Sequence, residues 1–281
     1  MGGAFGAMDD GDLTGMLYNP ALLRPDAHRG AVLSYLNHLS DINAGTVAYG
    51  HDLGAWGTGG VSLRFMSWGR IEGANEVGER TGTFGAGDLA LTTGLGRALG
   101  EQGRYGANLH LIHSYLDDVG ATAVAVDLGA LYRFPAYRLT FSASVNNLGV
   151  ALDSFGPRRN TLPLDVRLSA AKRLRYLPLT LSVMAYELHN VDEGLTGGTT
   201  LDHVLGHLAI GGEVELASSF VIRAGYNHRR SHDLAISDDR FDWAGLGLGF
   251  GLTVRGIQLS YAYNSWSSYG GLHWLTLQLD V

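Results

Sequence analysis

The sequence predicts an all-β fold, a transmembrane antiparallel β-barrel of about 14 strands with an N-terminal plug segment. Three observations support it: apolar and polar residues alternate, the alternating segments are long, and the connections between them alternate in length. In the segment LTFSASVN at 139–146, apolar side chains take one face and hydroxyl and amide groups the other. A soluble β-protein would also alternate, so strand number, strand length and loop spacing decide the fold.

We predict strands near 30–39, 43–52, 58–70, 82–98, 104–118, 121–133, 138–148, 163–174, 179–190, 205–216, 220–230, 242–255, 257–266 and 270–281. Most reach the roughly 9–11 residues that a tilted membrane strand needs. The connections near 53–57, 99–103, 134–137, 175–178, 217–219 and 255–256 are tight, whereas those near 71–81, 149–162, 191–204 and 231–241 are long and polar. Short turns on the periplasmic side and long loops outside are typical of outer-membrane barrels. The chain therefore divides into a plug or hatch segment at 1–29 and a barrel at 30–281.

The composition excludes several classes of protein. Charged residues make up 17% of the chain, below the usual quarter or so, as expected where a surface faces hydrocarbon. The net charge of −7, without a basic cluster, argues against nucleic acid as a partner. The absence of cysteine excludes disulfides, Cys-zinc sites and thiol catalysis.

The membrane placement rests on strands, because no stretch of 18 apolar residues is available for a transmembrane helix. We expect an integral protein of the cell outer membrane. Its start at Met1 shows neither a basic nor an apolar export region. Export is therefore expected to depend on a signal peptide that is not present in this chain.

Alternation assigns the two faces of each strand. In the strand at 121–133 we expect Val124, Val126, Leu128 and Tyr132 to face lipid and Ala125, Asp127, Gly129 and Arg133 to face inward. In the last strand the expected lipid face is Leu275, Leu277, Leu279 and Val281. Aromatic residues expected near strand ends, where interfacial girdles lie, are Tyr49, Trp56, Trp68, Tyr105, Tyr137, Tyr176 and Tyr261.

A glycine stripe occupies every second position of GLGLGFG at 245–251. No helix pattern follows it, so a nucleotide-binding loop is not indicated. We interpret the stripe as an inward face without side chains, which leaves space for a plug or for strand bending.

The sequence offers no pattern for metal binding. Asp9-Asp10-Gly11-Asp12 is similar to the opening of a calcium loop, but the later ligands are missing, so a turn in the N-terminal segment is the better interpretation. Loop histidines at His203, His207, His228 and His232 are scattered and fit solvated side chains better than a metal site.

The sequence offers no catalytic spacing either. Inward charges are expected at Asp88, Asp127, Asp165, Arg64, Arg133, Arg167 and Arg223. Opposite charges inside a narrow barrel are expected to pair with one another or with the plug, because an unpaired buried charge is costly. No nucleophile stands beside a base at a recognisable spacing, so we expect a non-enzymatic protein without a cofactor.

The N-terminal motifs resemble those of a known family. MGGAF at 1–5, Asp9-Asp10 and LYNPALL at 17–23, which contains Asn19 and Pro20, are similar to the entry motif of the PorV/PorQ family of barrels. That family is related to the FadL-like fatty-acid transporters. Further similar stretches, closest to its PorQ branch, lie at 35–37, 43–49, 81–88, 146–149, 162–164 and 223–230. Pro20 also disfavours α geometry at Asn19, which favours a turn there.

The resemblance implies a non-enzymatic component of the type IX secretion system attachment complex of Bacteroidota. Such a protein would anchor a PorZ-type surface protein, with PorU and PorV in one complex, where cargo is joined to lipopolysaccharide. The alternative function is a FadL-like transporter of hydrophobic small molecules, and a purely structural barrel is a third possibility.

An anchor would bind its partner through the long outer loops, and aromatic and Arg side chains are the best candidates. The candidate residues are Phe155, Arg158, Arg159, Arg229, Arg230, Phe241, Trp266 and Tyr269. The same side chains could instead cap the barrel or lie in the headgroup layer. In the plug we expect Asn19 and Pro20 near the periplasmic mouth.

Overall fold

The computed structural model describes residues 1–37, 41–156, 161–191, 199–234, 243–267 and 270–280. Within these residues fourteen antiparallel strands form one closed barrel, which confirms the predicted fold. The strands are β1 (Gly30–Asn37), β2 (Asn43–Asp52), β3 (Thr58–Ala74), β4 (Arg80–Leu99), β5 (Gly103–Leu116), β6 (Val119–Phe134), β7 (Leu139–Ala151), β8 (Asp165–Arg173), β9 (Leu179–Ala185), β10 (Leu208–Ala217), β11 (Phe220–Asn227), β12 (Leu246–Val254), β13 (Ile257–Ser267) and β14 (Gly270–Asp280).

The barrel closes between its first and last strands. β1 pairs antiparallel with β14, from Gly30 opposite Asp280 to Asn37 opposite His273. The hydroxyls of Ser34 and Thr276 share a hydrogen bond of 2.8 Å across this seam. This pairing closes the ring that the predicted barrel requires and leaves the sheet without free edges along the seam.

Side chains alternate between the two faces of the wall as expected. In β6, Leu128 and Tyr132 are exposed on the outer face, whereas Ala125 and Asp127 are buried on the inner face. In the last strand Leu275 is likewise exposed, and Val281 lies outside the described residues. The exposed large apolar side chains of the strands therefore give the barrel an apolar outer face, which is the surface that a hydrocarbon environment requires.

The wall differs in height around the barrel. We define the tall wall as β3–β6, whose strands have 17, 20, 14 and 16 residues. We define the low wall as β8–β12, whose strands have 9, 7, 10, 8 and 9 residues. The lumen is thus enclosed more deeply on one side than on the other.

The prediction of a long loop at 71–81 is wrong. β3 continues to Ala74 and β4 begins at Arg80, so that only a tight turn joins them. The side chain of Asn75 closes this turn, because its Oδ1 accepts from the backbone N–H groups of Val77 and Glu79. Beyond the apolar zone both faces of a strand can be polar, so polarity alone does not distinguish a projecting hairpin from a loop.

Two short helices replace predicted strand ends at the rim of the low wall. They are α1 (Thr200–Gly206), at the start of the strand predicted at 205–216, and α2 (His228–Leu234), at the end of the strand predicted at 220–230, so both strands are shorter than expected. The strand predicted at 179–190 is also shorter, because β9 ends at Ala185. A capping box between Thr199 and Asp202 starts α1. Seven residues are too few for a helical period to stand out in the sequence. Among the described residues, none of the helices has the length and apolar character that a membrane crossing requires.

Candidate functional site: the lumen and its N-terminal segment

Residues 1–29 precede β1 and contact the inward side chains of the barrel. Asn108 donates from Nδ2 to the carbonyl oxygen of Met16 at 2.9 Å, and Ser142 donates to that of Gly6 at 2.6 Å. Arg104 donates to the carbonyl oxygen of Leu23. These bonds satisfy backbone carbonyls that water cannot reach, so the segment can lie in the lumen without a sheet of its own.

Asn19 and Pro20, predicted to mark this segment, lie against the lower part of β5–β7. Asn19 is buried and donates from Nδ2 to the carbonyl oxygens of Ala130 and Ala143, both at 3.4 Å. Its Oδ1 accepts from the backbone N–H of Ala21 at 2.9 Å and so caps the 3-10 turn that Pro20 begins. The residues that set the local turn therefore also attach it to the wall.

Inward glycines give the segment its space. A Cβ on Gly106 would lie 2.5 Å from the carbonyl oxygen of Pro20, and one on Gly96 would lie 2.6 Å from that of Leu23. Both distances are far below van der Waals contact, so any larger residue would displace the segment. The tall wall thus accommodates the segment by omitting side chains.

The glycine stripe of β12 has two roles. A Cβ on Gly247 would approach the backbone nitrogen of Gly2 to 3.5 Å, so this glycine faces the N-terminal segment. A Cβ on Gly249 would lie 2.7 Å from the carbonyl oxygen of Tyr261 on β13. The stripe therefore leaves room inside the lumen, as its pattern predicts, and also permits a close approach of the neighbouring strand.

The acidic motif connects the segment to arginines of the wall. Asp9 lies 3.1 Å from Arg24, 3.3 Å from Arg133 and 3.8 Å from Arg104. Its three guanidinium neighbours come from the segment itself, β6 and β5. Asp9 is therefore a structural counter-ion in the lumen and not part of a calcium loop.

Asp10 shares its arginine with a carboxylate of the wall. Arg223 lies 3.3 Å from Asp10 and 2.7 Å from Glu213 on β10. Burial inside the barrel, reinforced by the charge of Asp12, raises the pKa of Asp10 to about 7, although Arg223 opposes this rise. The side chain of Asp10 keeps 20% exposure, so it lies beside open space in the lumen.

A buried polar network links three strands of the tall wall. The hydroxyl of Thr92 lies 2.8 Å from Nδ1 of His110, and Nε2 of His110 lies 2.6 Å from Oδ2 of Asp127. Asn108 donates to the same carboxylate oxygen at 3.1 Å. Asp127 thus connects β4, β5 and β6 to the carbonyl of Met16 through Asn108.

This network has the order of a nucleophile, a base and an acid, but it is closed to substrates. Thr92 is 0% exposed and Asp127 is 2% exposed. A reacting group cannot reach the Thr92 hydroxyl in this buried arrangement, so the network is structural. Nothing in the sequence singles out His110 except its alternation with Asn108, which places both residues on the inner face.

The pairing of β7 changes at Asn147. This residue has a left-handed backbone with φ of 60°, and the ladder between β7 and β8 ends at the pair Asn146 and Asp165. In the described chain no strand pairs with the β8 side of β7 beyond that point. Its outward side chains Leu148 and Val150 are 53% and 59% exposed. The bulge is visible in the sequence, because Val145 and Leu148 are three positions apart instead of two.

The bulge is attached to the buried network. The backbone N–H of Asn147 donates to Oδ1 of Asp127 at 2.8 Å, and its side chain donates to the carbonyl oxygen of Pro163 at 2.9 Å. The upper edge of β7 is therefore held by the same carboxylate that contacts the N-terminal segment through Asn108.

Open space remains above the segment. Tyr18 is 37% exposed although it lies within the ring of strands, and its ring is 5.5 Å from that of Phe5. Arg64 follows the inward Ser62 by two positions and is also exposed. Among the described residues no carboxylate lies within ion-pair distance of Arg64. In this space the lumen presents the rings of Tyr18 and Phe5 and the guanidinium group of Arg64 to any solute that enters.

The residues predicted to bind a surface partner do not form one described cluster. Phe155 is exposed in the loop after β7, Arg229 and Arg230 belong to α2, and Trp266 lies near the end of β13. Arg229 forms an ion pair with Glu187. The remaining predicted residues, Arg158, Arg159, Phe241 and Tyr269, lie outside the described residues.

The loop histidines contact neighbouring polar groups. His228 lies 3.3 Å from Asp202, and Nδ1 of His207 lies 3.1 Å from the carbonyl oxygen of Tyr186. Within the described ranges no three His, Asp or Glu side chains are grouped as a metal ion would need.

Comparison with known proteins identifies the fold. No protein-family model matches the sequence, and no curated protein matches it. A Pseudomonas aeruginosa FadL homologue is similar over 98% of this chain and 95% of its own, with a TM-score of 0.60 and 12% identity. The toluene transporters TodX of Pseudomonas putida and TbuX of Ralstonia pickettii each cover 94% of this chain and 91% of their own, with TM-scores of 0.59 and 0.55 and identities of 13% and 10%. The chain has the fold of FadL-like barrels, whereas the resemblance to the PorV/PorQ family rests on the sequence motifs alone.

Proposed function

We propose that this protein is an integral outer-membrane channel for the uptake of hydrophobic small molecules. The observation that carries the proposal is the end of the β7–β8 ladder at Asn146 and Asp165, beside a lumen that contains the N-terminal segment. A solute that enters from outside meets this segment below it and an unpaired strand edge beside it.

Physical chemistry favours an apolar solute on this route. The N-terminal segment removes a wide, water-filled path, and ions gain nothing from leaving through an apolar wall. An unpaired backbone edge cannot face lipid without cost, so at membrane depth it must line an opening. Leu148 and Val150 supply the apolar outer rim of that opening. The toluene transporters TodX and TbuX share the fold, which supports the same class of solute here.

The inner contacts suit a small aromatic or aliphatic compound. Tyr18 and Phe5 offer ring surfaces, and aromatic contacts bury apolar area with defined geometry. Arg64 offers a charge that a polar substituent of the solute can approach. Small-molecule sites generally combine such an apolar lining with few polar groups.

A cross-link at the lower end of the proposed opening, where the side chain of Asn147 reaches the carbonyl oxygen of Pro163, tests the route. The chain has no cysteine, so the double variant Asn147→Cys, Pro163→Cys can be joined with a short cleavable thiol cross-linker. We expect toluene uptake by cells without other channels to fall to background when the link is closed and to return when it is cleaved. The matched control, Ser34→Cys with Thr276→Cys, joins two strands that are already paired, and it should transport normally. Unchanged uptake with the opening cross-linked would contradict the lateral route.

Anchoring of a PorZ-type surface protein, with PorU and PorV, stays a prediction of the sequence resemblance. It can be tested by replacing Phe155 and Trp266 with Ala, confirming that the barrel assembles, and measuring how much surface partner the membrane retains. Full retention would mean that these loops do not bind it.

A further inference from the structure

The outer face of the barrel carries a continuous apolar groove. Two adjoining depressions of about 520 and 610 Å³ share Ala170 and Val183 and together extend from β5 to β12. Leu181 and Ile210 line one end, and Tyr105 and Tyr132 line the other. This groove is outside the lumen and takes no part in the proposed uptake route.

Small residues at outward positions of neighbouring strands make the groove. Ala130 of β6 pairs with Ala143 of β7, and Gly212 of β10 pairs with Ala224 of β11. Ala170 of β8 lies between these two pairs. Outward positions on β1–β4 include large exposed side chains such as Leu33, Leu63 and Leu91. The groove therefore depends on the small residues that the sequence places on β6, β7, β8, β10 and β11.

An uncompensated positive patch lies at the periplasmic end of the groove. Lys172, the only lysine among the 281 residues, lines the groove itself. Arg138 and Arg175 lie in the adjoining turns, where Arg138 donates to the carbonyl oxygen of Leu174 at 3.5 Å. Among the described residues none of these three cations has an ion-pair partner, whereas neighbouring Arg173 pairs with Glu215.

The same turns locate this patch at the membrane surface. Tyr137 and Tyr176 flank the three cations and are 69% and 89% exposed. Exposed tyrosines of membrane proteins collect at the level of the lipid headgroups. The groove thus begins at headgroup level with positive charge and continues into the apolar zone without charge. This pattern is complementary to an anionic phospholipid, which has a negative headgroup and apolar acyl chains.

We propose that the groove binds one anionic glycerophospholipid of the periplasmic leaflet, with an acyl chain along Ala143, Ala170 and Gly212 and the phosphate at Lys172 and Arg138. The proposal rests on membrane placement and is independent of transport. Lipopolysaccharide does not fit, because the patch lies on the side of the short turns and not of the outer loops. Lysine and arginine form charge-assisted hydrogen bonds with phosphate oxygens, which makes the headgroup contact selective.

Native mass spectrometry of the full chain in mild detergent tests the proposal. We expect one phosphatidylglycerol to remain bound after delipidation, and phosphatidylcholine with the same acyl chains to be retained about tenfold less. The double variant Lys172→Gln, Arg138→Gln should lower phosphatidylglycerol retention by a similar factor. Arg255→Gln, in the periplasmic turn between β12 and β13, is the matched charge control and should retain the lipid.

A second pair of variants tests the acyl chain contact. Ala170→Leu with Ala224→Leu fills the groove from outside, where the added volume meets no inner packing, so heat-modifiable gel mobility should still report a folded barrel. Retention should fall in this variant and remain unchanged in Thr93→Leu, which places a leucine at an exposed outer position of β4, away from the groove. Equal retention in all variants, or equal retention of both lipids, would overturn the proposal. Since the readout is bound lipid, it does not depend on whether the protein transports anything.

Discussion

The tall wall and the low wall hold the N-terminal segment by different means. The tall wall binds the later residues with directed hydrogen bonds, such as those from Asn108 to Met16 and from Arg104 to Leu23. The low wall packs the first residues mainly in small apolar clusters, in which Ala4 contacts Met184 and Ala209, and adds longer polar contacts of 3.3 Å from Asn227 to Gly2 and from Arg223 to Asp10. Directed bonds fix a position, whereas small apolar contacts resist separation weakly.

This difference indicates which part of the segment can move. Residues 16–24 are attached to the longest strands, and breaking that attachment would leave buried polar groups unpaired. The first eight residues lose only modest apolar area when they leave the low wall. We therefore expect local opening to begin at the low wall and to leave the tall wall intact.

The strongest test removes the centre of the tall-wall network. Asp127→Ala leaves His110, Asn108 and the Asn147 N–H without their shared acceptor. We expect the free energy of unfolding to fall by about 3 kcal/mol, measured by denaturant titration in micelles. Asp280→Ala, at an exposed position, should change it by less than about 0.5 kcal/mol. Equal effects of the two substitutions would mean that the network does not stabilise the wall.

A pair of glycine substitutions tests the space for the segment. Gly106→Ala places a Cβ 2.5 Å from the carbonyl oxygen of Pro20, whereas Gly85→Ala meets nothing closer than 3.9 Å. We expect Gly106→Ala to cost about 1–3 kcal/mol and to speed proteolysis within residues 1–29, because the segment must shift. Gly85→Ala should leave both measurements unchanged. Slow, wild-type proteolysis of the Gly106 variant would contradict the fit described here.

Asn227 provides the corresponding test of the low wall. This buried residue donates to the carbonyl oxygen of Gly2 at 3.3 Å and accepts from the hydroxyl of Tyr186 at 3.2 Å and the backbone N–H of Arg230 at 3.0 Å. We expect Asn227→Ala to cost about 1 kcal/mol and to raise hydrogen exchange in residues 1–8 without affecting 16–24. Asn37→Ala, on an exposed position of β1, is the control. Faster exchange in 16–24 would show that both walls release together.

The last test concerns pH. Because the pKa of Asp10 is raised from 3.8 to about 7 in the folded protein, its contribution to stability is complete below pH 3.8 and is lost as pH rises to 7. Asp10→Asn cannot ionise, so the unfolding midpoint of the wild type should decline relative to this variant between pH 4 and 7. Above pH 7 the difference should be constant. Parallel profiles would show that Asp10 ionises as freely as in solution.

The alternation of apolar and polar residues was sufficient to predict fourteen strands and the faces of β6, because one face of every strand must meet lipid. It also placed Asp127 in the lumen. The height of the tall wall could not be predicted, since Arg70 and Glu72 lie beyond the apolar zone and follow no such constraint. The start of β10 and the end of β11 were predicted wrongly for another reason, because the helices α1 and α2 that lie there are too short to show a period.

The site was less predictable than the fold. Asp9, Asp10 and Asn19 were found from local motifs, but their partners depend on pairings between distant strands. Thr92, His110 and Asp127 meet only because β4, β5 and β6 pair in one register. If β5 were paired one residue out of this register, His110 would face lipid. No local feature of the sequence determines the register.

The location of the N-terminal segment also constrains the order of assembly. We expect residues 1–29 to contact β5, β6 and β7 before β1 pairs with β14, because their hydrogen bonds to those strands do not depend on the seam. The seam joins Ser34 to Thr276, which are 242 positions apart. Such distant pairs form late, because chain entropy must first be lost in bringing them together. In this order of assembly the segment provides an inner surface around which the sheet curves before β1 and β14 close the ring.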